Sequence, residues 1–275
     1  MSDMTYHIAF YKFTALSEMD AVVTRLRELT TPLLGSILVA SEGINGMLAG
    51  TALELDAFEL ALQNDAAFGS SFKGTVFKRT QCDTPPFKRM KVHAKAEIVP
   101  LGIAGVDAAG RTADIERTNV SPQAWRQLIK QPDVVLLDNR NSFEFRLGKF
   151  EGAIDPGVVN FRDFREYVKA HAEQWKAEHK KVAMYCTGGI RCEKSSVWMQ
   201  DLGLDVYQLE GGILNYFKEM PDAEHDWKGE CFVFDNRVAL DTHLIETPTT
   251  VEDVYEREPD GAWRLARAKQ LDGGR

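Results

Sequence analysis

The chain has 275 residues, of which 44% are hydrophobic, and it carries a formal net charge of −8. This length and composition allow one large domain or two ordinary ones, each with a real hydrophobic core. No run of about 18 apolar residues occurs, so we expect no transmembrane helix, and the charged residues among positions 1–14 are unlike a signal peptide. The four irregularly spaced cysteines argue against a disulfide framework and favour a reducing, cytoplasmic location.

The first hundred residues predict an α+β domain from the hydrophobic period of each segment. The expected elements, in chain order, are a strand at residues 6–13, a helix capped by Ser17, strands at 36–41 and 47–50 with a glycine-rich turn at 42–46 between them, a helix at 53–62, and strands at 74–80 and 91–99. The order β-α-β-β-α-β is that of a ferredoxin-like, or acylphosphatase-like, domain, which we expect to cover residues 1–100. Residues 101–120 are polar and lack a clear period, so they are predicted to be a linker.

Residues 121–220 alternate apolar strands with helices. Ser121 and Pro122 have the residue types of a helix N-cap and first helical position. The later elements are predicted strands at 134–137, 182–185 and 206–209, helices at 161–176 and 193–202, and a short helix after Gly211-Gly212. This alternation predicts a doubly wound α/β domain with a parallel sheet. A C-terminal extension, 221–275, begins with a predicted strand at 231–234, and we expect about its last twenty residues to be weakly ordered.

One loop, Cys186-Thr187-Gly188-Gly189-Ile190-Arg191, lies at the carboxyl end of a predicted parallel strand, where active sites of such folds are found. A following helix N-terminus and the Arg191 guanidinium both favour a thiolate at Cys186. Residues 187–190 are expected to supply mainly backbone N–H groups turned towards the sulfur. The C-x4-R spacing is one residue shorter than the C-x5-R loop of phosphatases that form a cysteinyl-phosphate. The loop therefore suits a sulfur atom or another small group carried on Cys186 better than a phosphate.

Basic residues are concentrated at positions 73–95, which hold seven lysines and arginines against one aspartate, a local charge of +6 in a chain whose remainder is −14. A basic segment in an acidic protein is what local contact with phosphates requires. The candidate RNA contacts are Lys88, Arg89, Lys91 and Lys95. On charge alone, a solvated strand face without a partner explains the segment equally well.

Several separated motifs in residues 121–220 resemble a rhodanese domain. Asp138-Asn139-Arg140 resembles the D-x-R strand end, and Glu144 with residues 148–154 resembles the segment E-x3-G-H-I-x-G-A. The loop at 186–191 matches the six-residue active loop, and residues 209–213 resemble the closing L-x-G-G segment. The resemblance implies a rhodanese-like doubly wound parallel-sheet domain with Cys186 as its reactive residue.

The whole chain, over about residues 5–240, is similar to a narrower family, the rhodanese-containing tRNA uridine(34) hydroxylases. The additional matching segments are residues 40–46, 87–92 and 229–238. This resemblance implies oxygen-dependent 5-hydroxylation of the wobble uridine, with Cys186 essential, O2 as co-substrate and tRNA as partner. No flavin, nicotinamide or facial metal motif is evident, so no cofactor, no metal, no membrane and no obligate protein partner are expected. No cysteine follows Cys231, unlike in many relatives, so a metal or redox role for that region is not expected.

Candidate roles for the remaining residues follow from these resemblances. Cys186 and Arg191 are predicted to be catalytic, and Cys186 acts as a thiolate, a persulfide or an oxidised sulfur. Asp138 and Arg140 are expected to support the loop, whereas Cys192 is either a resolving thiol or a packed helix residue. Two further RNA-contact candidates lie in the predicted glycine turn and could equally serve the turn alone: Glu42 and Asn45.

Other functions remain open at this level. A sulfurtransferase that moves sulfane sulfur from thiosulfate or a persulfide donor through Cys186 would need the rhodanese domain alone. A non-catalytic sulfide-binding module is less consistent with an intact active loop, and the C-x4-R spacing makes a phosphatase the least favoured class. The basic segment and the additional N-terminal domain favour the tRNA hydroxylase.

Overall fold

The computed structural model describes residues 4–83, 85–256 and 258–273. The chain divides into two compact units, the first comprising Met1–Pro100 with Asp107–Thr112 and the second Leu101–Val106 with Ala113–Arg275. Each unit contains its own hydrophobic core. Within the described residues, no helix is both long and apolar enough to cross a membrane.

The first unit is a five-stranded sheet with two helices. Its elements are β1 (Thr5–Phe13), α1 (Met19–Leu29), β2 (Leu34–Ala40), β3 (Gly43–Gly50), α2 (Ala52–Asn64), β4 (Phe77–Cys82) and β5 (Met90–Ala94). The strand order is β4-β1-β3-β2-β5, in which β5 pairs parallel with β2 and the other pairs are antiparallel. The first four strands and the two helices have the order of the split βαβ fold, which confirms the ferredoxin-like prediction.

The boundary between β2 and β3 differs from the prediction. The sequence predicts a turn at the glycine-rich segment 42–46, but β3 begins at Gly43 and pairs with β1 from Phe13 onward. Gly43 has φ +139°, and a Cβ there would lie 2.0 Å from the Lys12 carbonyl oxygen. The glycine is therefore required by close strand pairing rather than by a turn. The predicted cap at Ser17 is also wrong, because α1 is preceded by Glu18 without a side-chain cap.

The second unit contains a four-stranded parallel sheet. Its elements are α3 (Thr112–Thr118), β6 (Asn119–Val120), α4 (Pro122–Leu128), β7 (Val134–Asp138), α5 (Ser142–Leu147), β8 (Gly148–Phe150), α6 (Phe164–Ala177), β9 (Lys181–Tyr185), α7 (Ile190–Asp201), β10 (Asp205–Leu209), α8 (Gly212–Glu219), β11 (Trp227–Gly229), β12 (Cys231–Phe232), β13 (Ala239–Leu240), α9 (Val251–Tyr255) and α10 (Gly261–Gly273). The strand order β6-β10-β9-β7 is parallel throughout, as predicted. Two small antiparallel pairs, β8 with β11 and β12 with β13, lie outside this sheet.

Two segments are more regular than their composition indicated. The end of the predicted linker forms α3 and β6, because β6 completes the edge of the parallel sheet beside β10. In the C-terminal extension, α10 lies within the last twenty or so residues, for which weak order is predicted, and α9 directly precedes them. Tyr255 of α9 is buried and lies 5.1 Å from the ring of Phe143, so apolar packing holds this part of the extension.

Aromatic packing fixes the strand that carries the reactive cysteine. Tyr185, the last residue of β9, is fully buried. Its ring lies 4.9 Å from the ring of Phe150, which in turn contacts the rings of Tyr216 at 4.9 Å and Trp227 at 5.1 Å. These edge-on contacts immobilise the residue directly before Cys186.

Candidate active site

The cysteine loop joins the end of β9 to the start of α7. Cys186 follows Tyr185, and Gly189 precedes α7 with φ +102°, a conformation that favours glycine. This backbone path turns the Gly189 N–H towards the sulfur, which accepts a hydrogen bond from it at 3.1 Å. Cys186 itself is buried, whereas Thr187, Gly188 and Ile190 are partly exposed, so the loop borders solvent.

The surroundings of Cys186 favour its thiolate. Burial alone would raise the pKa of the thiol, but hydrogen bonds from the thiol and backbone N–H of Cys192, the charge of Arg191 and the Gly189 N–H together hold it well below its ordinary value. Cys231 shows the opposite outcome, because burial there raises the pKa of the thiol to about 12. The pKa values of two buried thiols in one unit are thus shifted in opposite directions, because hydrogen-bond donors and the Arg191 charge act on Cys186, whereas burial dominates at Cys231.

Cys192 acts as a donor to this thiolate. Burial and the hydrogen bond to Cys186 raise the pKa of the Cys192 thiol well above its ordinary value, so it keeps its proton. Asn139 lies on the other side, with its Nδ2 3.8 Å from the Cys192 sulfur and 3.0 Å from Ser195 Oγ. The structure therefore places Cys192 against Cys186, and whether it also resolves an oxidised Cys186 stays a prediction.

Arg191 is held by a carboxylate to which the sequence reasoning gave no role. Its Nη1 and Nη2 donate to the two oxygens of Glu144 at 2.8 and 2.7 Å. Burial would raise the pKa of Glu144, but the charge and hydrogen bonds of Arg191 lower it overall, so the pair is ionised. The sequence places Glu144 in a motif but predicts no partner for it. A buried acid needs a cationic partner, and that rule could have pointed to the loop arginine.

The buried pair of Asp138 and Arg140 supports the end of β7. Arg140 donates through Nε to Asp138 Oδ1 at 2.8 Å and through Nη2 to the Gly148 carbonyl at 2.6 Å. Its guanidinium also lies 5.6 Å from the ring of Tyr185 and 5.3 Å from that of Trp227. This geometry favours the structural role expected for the pair, since it links β7, β8 and the strand before Cys186.

The closing glycine segment holds the outer side of the loop. The N–H groups of Ile213 and Leu214 donate to the carbonyls of Cys186 and Thr187 at 3.0 and 3.2 Å. Gly212 has φ +72°, and a Cβ there would lie 2.5 Å from the Cys186 carbonyl oxygen. The start of α8 thus turns the loop carbonyls away from the sulfur, a function that the sequence motif alone did not reveal.

The predicted RNA-contact residues all belong to the first unit. Glu42 accepts from the Ile98 N–H at 2.7 Å, and Asn45 donates to the Ile98 carbonyl at 3.1 Å. These contacts give both side chains a structural role, because they hold the distant segment at Ile98, and their role towards RNA stays a prediction. The four basic candidates lie on β5, an edge strand, or directly beside it: Lys88, Arg89, Lys91 and Lys95.

Positive charge is concentrated at this edge. Partial burial and the charges of Lys95, Lys91 and Arg27 lower the pKa of His93. Arg27, on α1, was not among the predicted RNA contacts, and its guanidinium donates to the Val92 carbonyl at 3.3 Å. We call Arg27 together with Lys88, Arg89, Lys91 and Lys95 the basic edge.

In the described part of the chain, all four cysteines are free thiols and no three His, Cys, Asp or Glu side chains form a group able to hold a metal ion.

The second unit is a rhodanese-like domain, because a strand of its parallel sheet ends at a reactive cysteine that begins a six-residue, glycine-containing loop. A family model described as "Rhodanese-like domain" matches residues 121–219, and one described as "UPF0176 acylphosphatase like domain" matches residues 5–98. Relatives named tRNA uridine(34) hydroxylase are 41–45% identical to this chain over 87–91% of its length, so the chain belongs to that family.

Three relatives carry that name and match nearly the whole chain. The protein of Nitrobacter winogradskyi is 45% identical over 87% of this chain and 92% of its own length. Those of Bradyrhizobium diazoefficiens and Legionella pneumophila are 43% and 41% identical, over 90% and 91% of this chain and 96% of their own lengths.

Proposed function

We propose that this protein hydroxylates the wobble uridine of tRNA, position 34, at C5, with Cys186 as the nucleophile and O2 as the source of oxygen. The observation that carries the proposal is the buried Cys186 sulfur, which accepts a hydrogen bond from the Gly189 N–H at 3.1 Å in its C-x4-R loop, in a chain 41–45% identical to proteins named tRNA uridine(34) hydroxylase. Because its proposed substrate is tRNA, we expect the protein to act in the cytoplasm.

Covalent addition explains how a thiolate activates C5. The Cys186 sulfur bonds to C6 of uracil while the C5=C6 electron pair moves towards C5 and the C4 carbonyl. The resulting enolate takes up O2 and a proton, which gives a C5 hydroperoxide. Two molecules of an external thiol reductant then cleave the O–O bond, leaving a C5 hydroxyl, water and a disulfide. Loss of the C5 proton and of the Cys186 thiolate restores the double bond.

The loop supports the addition of the Cys186 sulfur to C6 of uracil. Its donors keep Cys186 ionised in a buried position, where a thiolate is poorly solvated by water. Arg191 contributes charge while Glu144 fixes its position. A persulfide on Cys186 is the competing form of the same sulfur. Intact-protein mass spectrometry during turnover distinguishes the two, because a persulfide adds the mass of one sulfur atom.

The decisive experiment measures tRNA chemistry directly. Purified protein, unmodified tRNA and a thiol reductant are incubated with isotopically labelled O2, and digested nucleosides are analysed by mass spectrometry. We expect labelled 5-hydroxyuridine with the unchanged protein and none with Cys186→Ser. Cells lacking the protein should lose 5-hydroxyuridine derivatives from their tRNA. Unchanged hydroxylation in those cells, together with thiosulfate:cyanide activity in vitro, would identify a sulfurtransferase instead.

The basic edge is the proposed tRNA contact. Binding of a phosphate by a basic side chain releases counterions, so removal of each such side chain should reduce the slope of log affinity against log salt concentration by about 0.7–0.9. We expect weaker tRNA binding and a smaller slope when glutamines replace Lys88, Arg89, Lys91 and Lys95. The matched control makes the same change of charge at four exposed lysines of the second unit, namely Lys130, Lys169, Lys218 and Lys228. Equal effects in both variants would mean that the basic edge is not the contact surface.

A further inference from the structure

An exposed aromatic ring lies beside the active-site arginine. Phe234 is 51% exposed, although it belongs to an otherwise buried apolar segment. The Arg191 guanidinium carbon lies 5.9 Å from the centre of the Phe234 ring. Arg191 in turn acts on the Cys186 sulfur through its charge. The Phe234 ring therefore contacts the side chain whose charge acts on the reacting sulfur.

The loop that carries Phe234 is closely fixed. Asp235 accepts hydrogen bonds from the backbone N–H and Nε of Arg237 at 3.0 and 2.8 Å, and the ionic pair is almost completely buried. The Val233 N–H donates to the Val238 carbonyl at 2.9 Å, which closes the loop. On one side, the Phe234 ring meets the ring of Phe232 edge-on at 5.0 Å.

Backbone strain within this loop is a second, independent observation. Val238 has φ +62°, in the left-handed region that a β-branched side chain rarely adopts. Such a conformation persists only where the surrounding structure determines it, and it is frequent at functional sites. The chain thus maintains a strained, pinned loop whose most exposed large side chain is an aromatic ring next to the active site.

We propose that Phe234 is the stacking surface for the pyrimidine base that reacts at Cys186. This inference rests on the proposed function. A wobble base has to leave its neighbours before its C6 can approach a sulfur, and unstacked bases are generally held on aromatic rings. Both Nη atoms of Arg191 donate to Glu144. This edge of the guanidinium therefore does not offer its N–H groups to the base.

The test compares side chains of different character at one position. Removal of one base–aromatic stacking interaction is expected to lower kcat/KM for tRNA hydroxylation about 5- to 150-fold in Phe234→Ala. Phe234→Trp should retain activity, because it keeps an aromatic face. Phe234→Leu should behave like the alanine variant, because leucine covers Arg191 but cannot stack. Full activity of Phe234→Leu would overturn the proposal, because it would show that position 234 needs only an apolar side chain that covers Arg191.

Two further measurements separate this inference from loop damage and from the proposed function itself. The rate of Cys186 alkylation by iodoacetamide should be the same within about twofold in all Phe234 variants, since stacking has no part in ionising the thiol. Trp263→Ala removes a ring of similar exposure, 53%, from α10 and should leave kcat/KM unchanged. An equal reduction there, or altered alkylation, would overturn the stacking assignment. Absence of hydroxylation by the unchanged protein would instead refute the proposed function.

Discussion

Replacement of Cys192 by alanine tests how the active loop ionises Cys186. The Cys192 thiol donates a hydrogen bond to the Cys186 thiolate, and among the interactions that lower the Cys186 pKa it is the largest. Alanine removes this donor but keeps the backbone N–H at position 192. Because the donor favours the ionised form, its removal must raise the Cys186 pKa.

The expected size follows from the nature of the bond. A hydrogen bond to a charged group contributes about 1.5–3 kcal/mol, and a thiol is a weak donor, so the lower end applies. Since one pKa unit corresponds to about 1.4 kcal/mol, the Cys186 pKa should rise by about one unit. Cys192 is fully buried, so the missing sulfur should also cost about 1 kcal/mol of stability.

The assay is the pH dependence of Cys186 alkylation by iodoacetamide, with the labelled peptide identified by mass spectrometry. The midpoint should move about one unit higher in Cys192→Ala, whereas Cys192→Ser, which retains a donor, should stay close to the unchanged protein. Cys231→Ala provides the control, since it deletes a buried thiol whose pKa is about 12 and should not move the midpoint. An unmoved midpoint in Cys192→Ala, or equal shifts in the alanine and serine variants, would refute the reasoning.

Three further predictions concern the second unit. Gly212→Ala should disrupt the loop and slow the alkylation of Cys186. Gly203→Ala is the control, because a Cβ at that position, with φ +78°, would lie 3.8 Å from the Lys176 side chain. It should only lower the free energy of unfolding in urea by about 1–2 kcal/mol, the energy of one left-handed alanine. Glu144→Gln leaves the buried loop arginine without its counter-charge, so the free energy of unfolding should fall by about 3–5 kcal/mol. An arginine partner lowers the pKa of Asp222 to about 2. Its contribution to stability is therefore present above about pH 4 and lost towards pH 2, so Asp222→Asn should reduce the change in thermal midpoint across that window.

The elements with strong internal patterns were predictable from sequence. The apolar strands β7, β9 and β10 end in buried residues, and each begins and ends within one residue of its predicted position. Elements defined by their partners were not predictable. β6 has two residues and exists because β10 lies beside it, and the path of Gly43 depends on the approach of β1. Neither signal is present in the local sequence.

The same distinction applies to the candidate site. The cysteine, the glycines and the arginine could be predicted because they are contiguous and their chemistry is local. The partners that determine their states come from elsewhere in the chain: Glu144 from α5, and the N–H groups of Ile213 and Leu214 from α8. Sequence motifs had marked both segments without indicating what they contact. Their roles became evident only when the fold brought them to the loop.

The pairing of Arg191 with Glu144 also sharpens the difference between this loop and a phosphate cradle. In a phosphate site the arginine presents its paired N–H groups to the bound anion. Here both Nη atoms are bound to Glu144 at 2.7 and 2.8 Å, so that fork is already occupied. Arg191 acts on Cys186 by charge that Glu144 partly balances, and the donors at Cys192 and Gly189 become correspondingly important. A loop built this way stabilises a single anionic sulfur, which is the species that nucleophilic attack on a uracil ring requires.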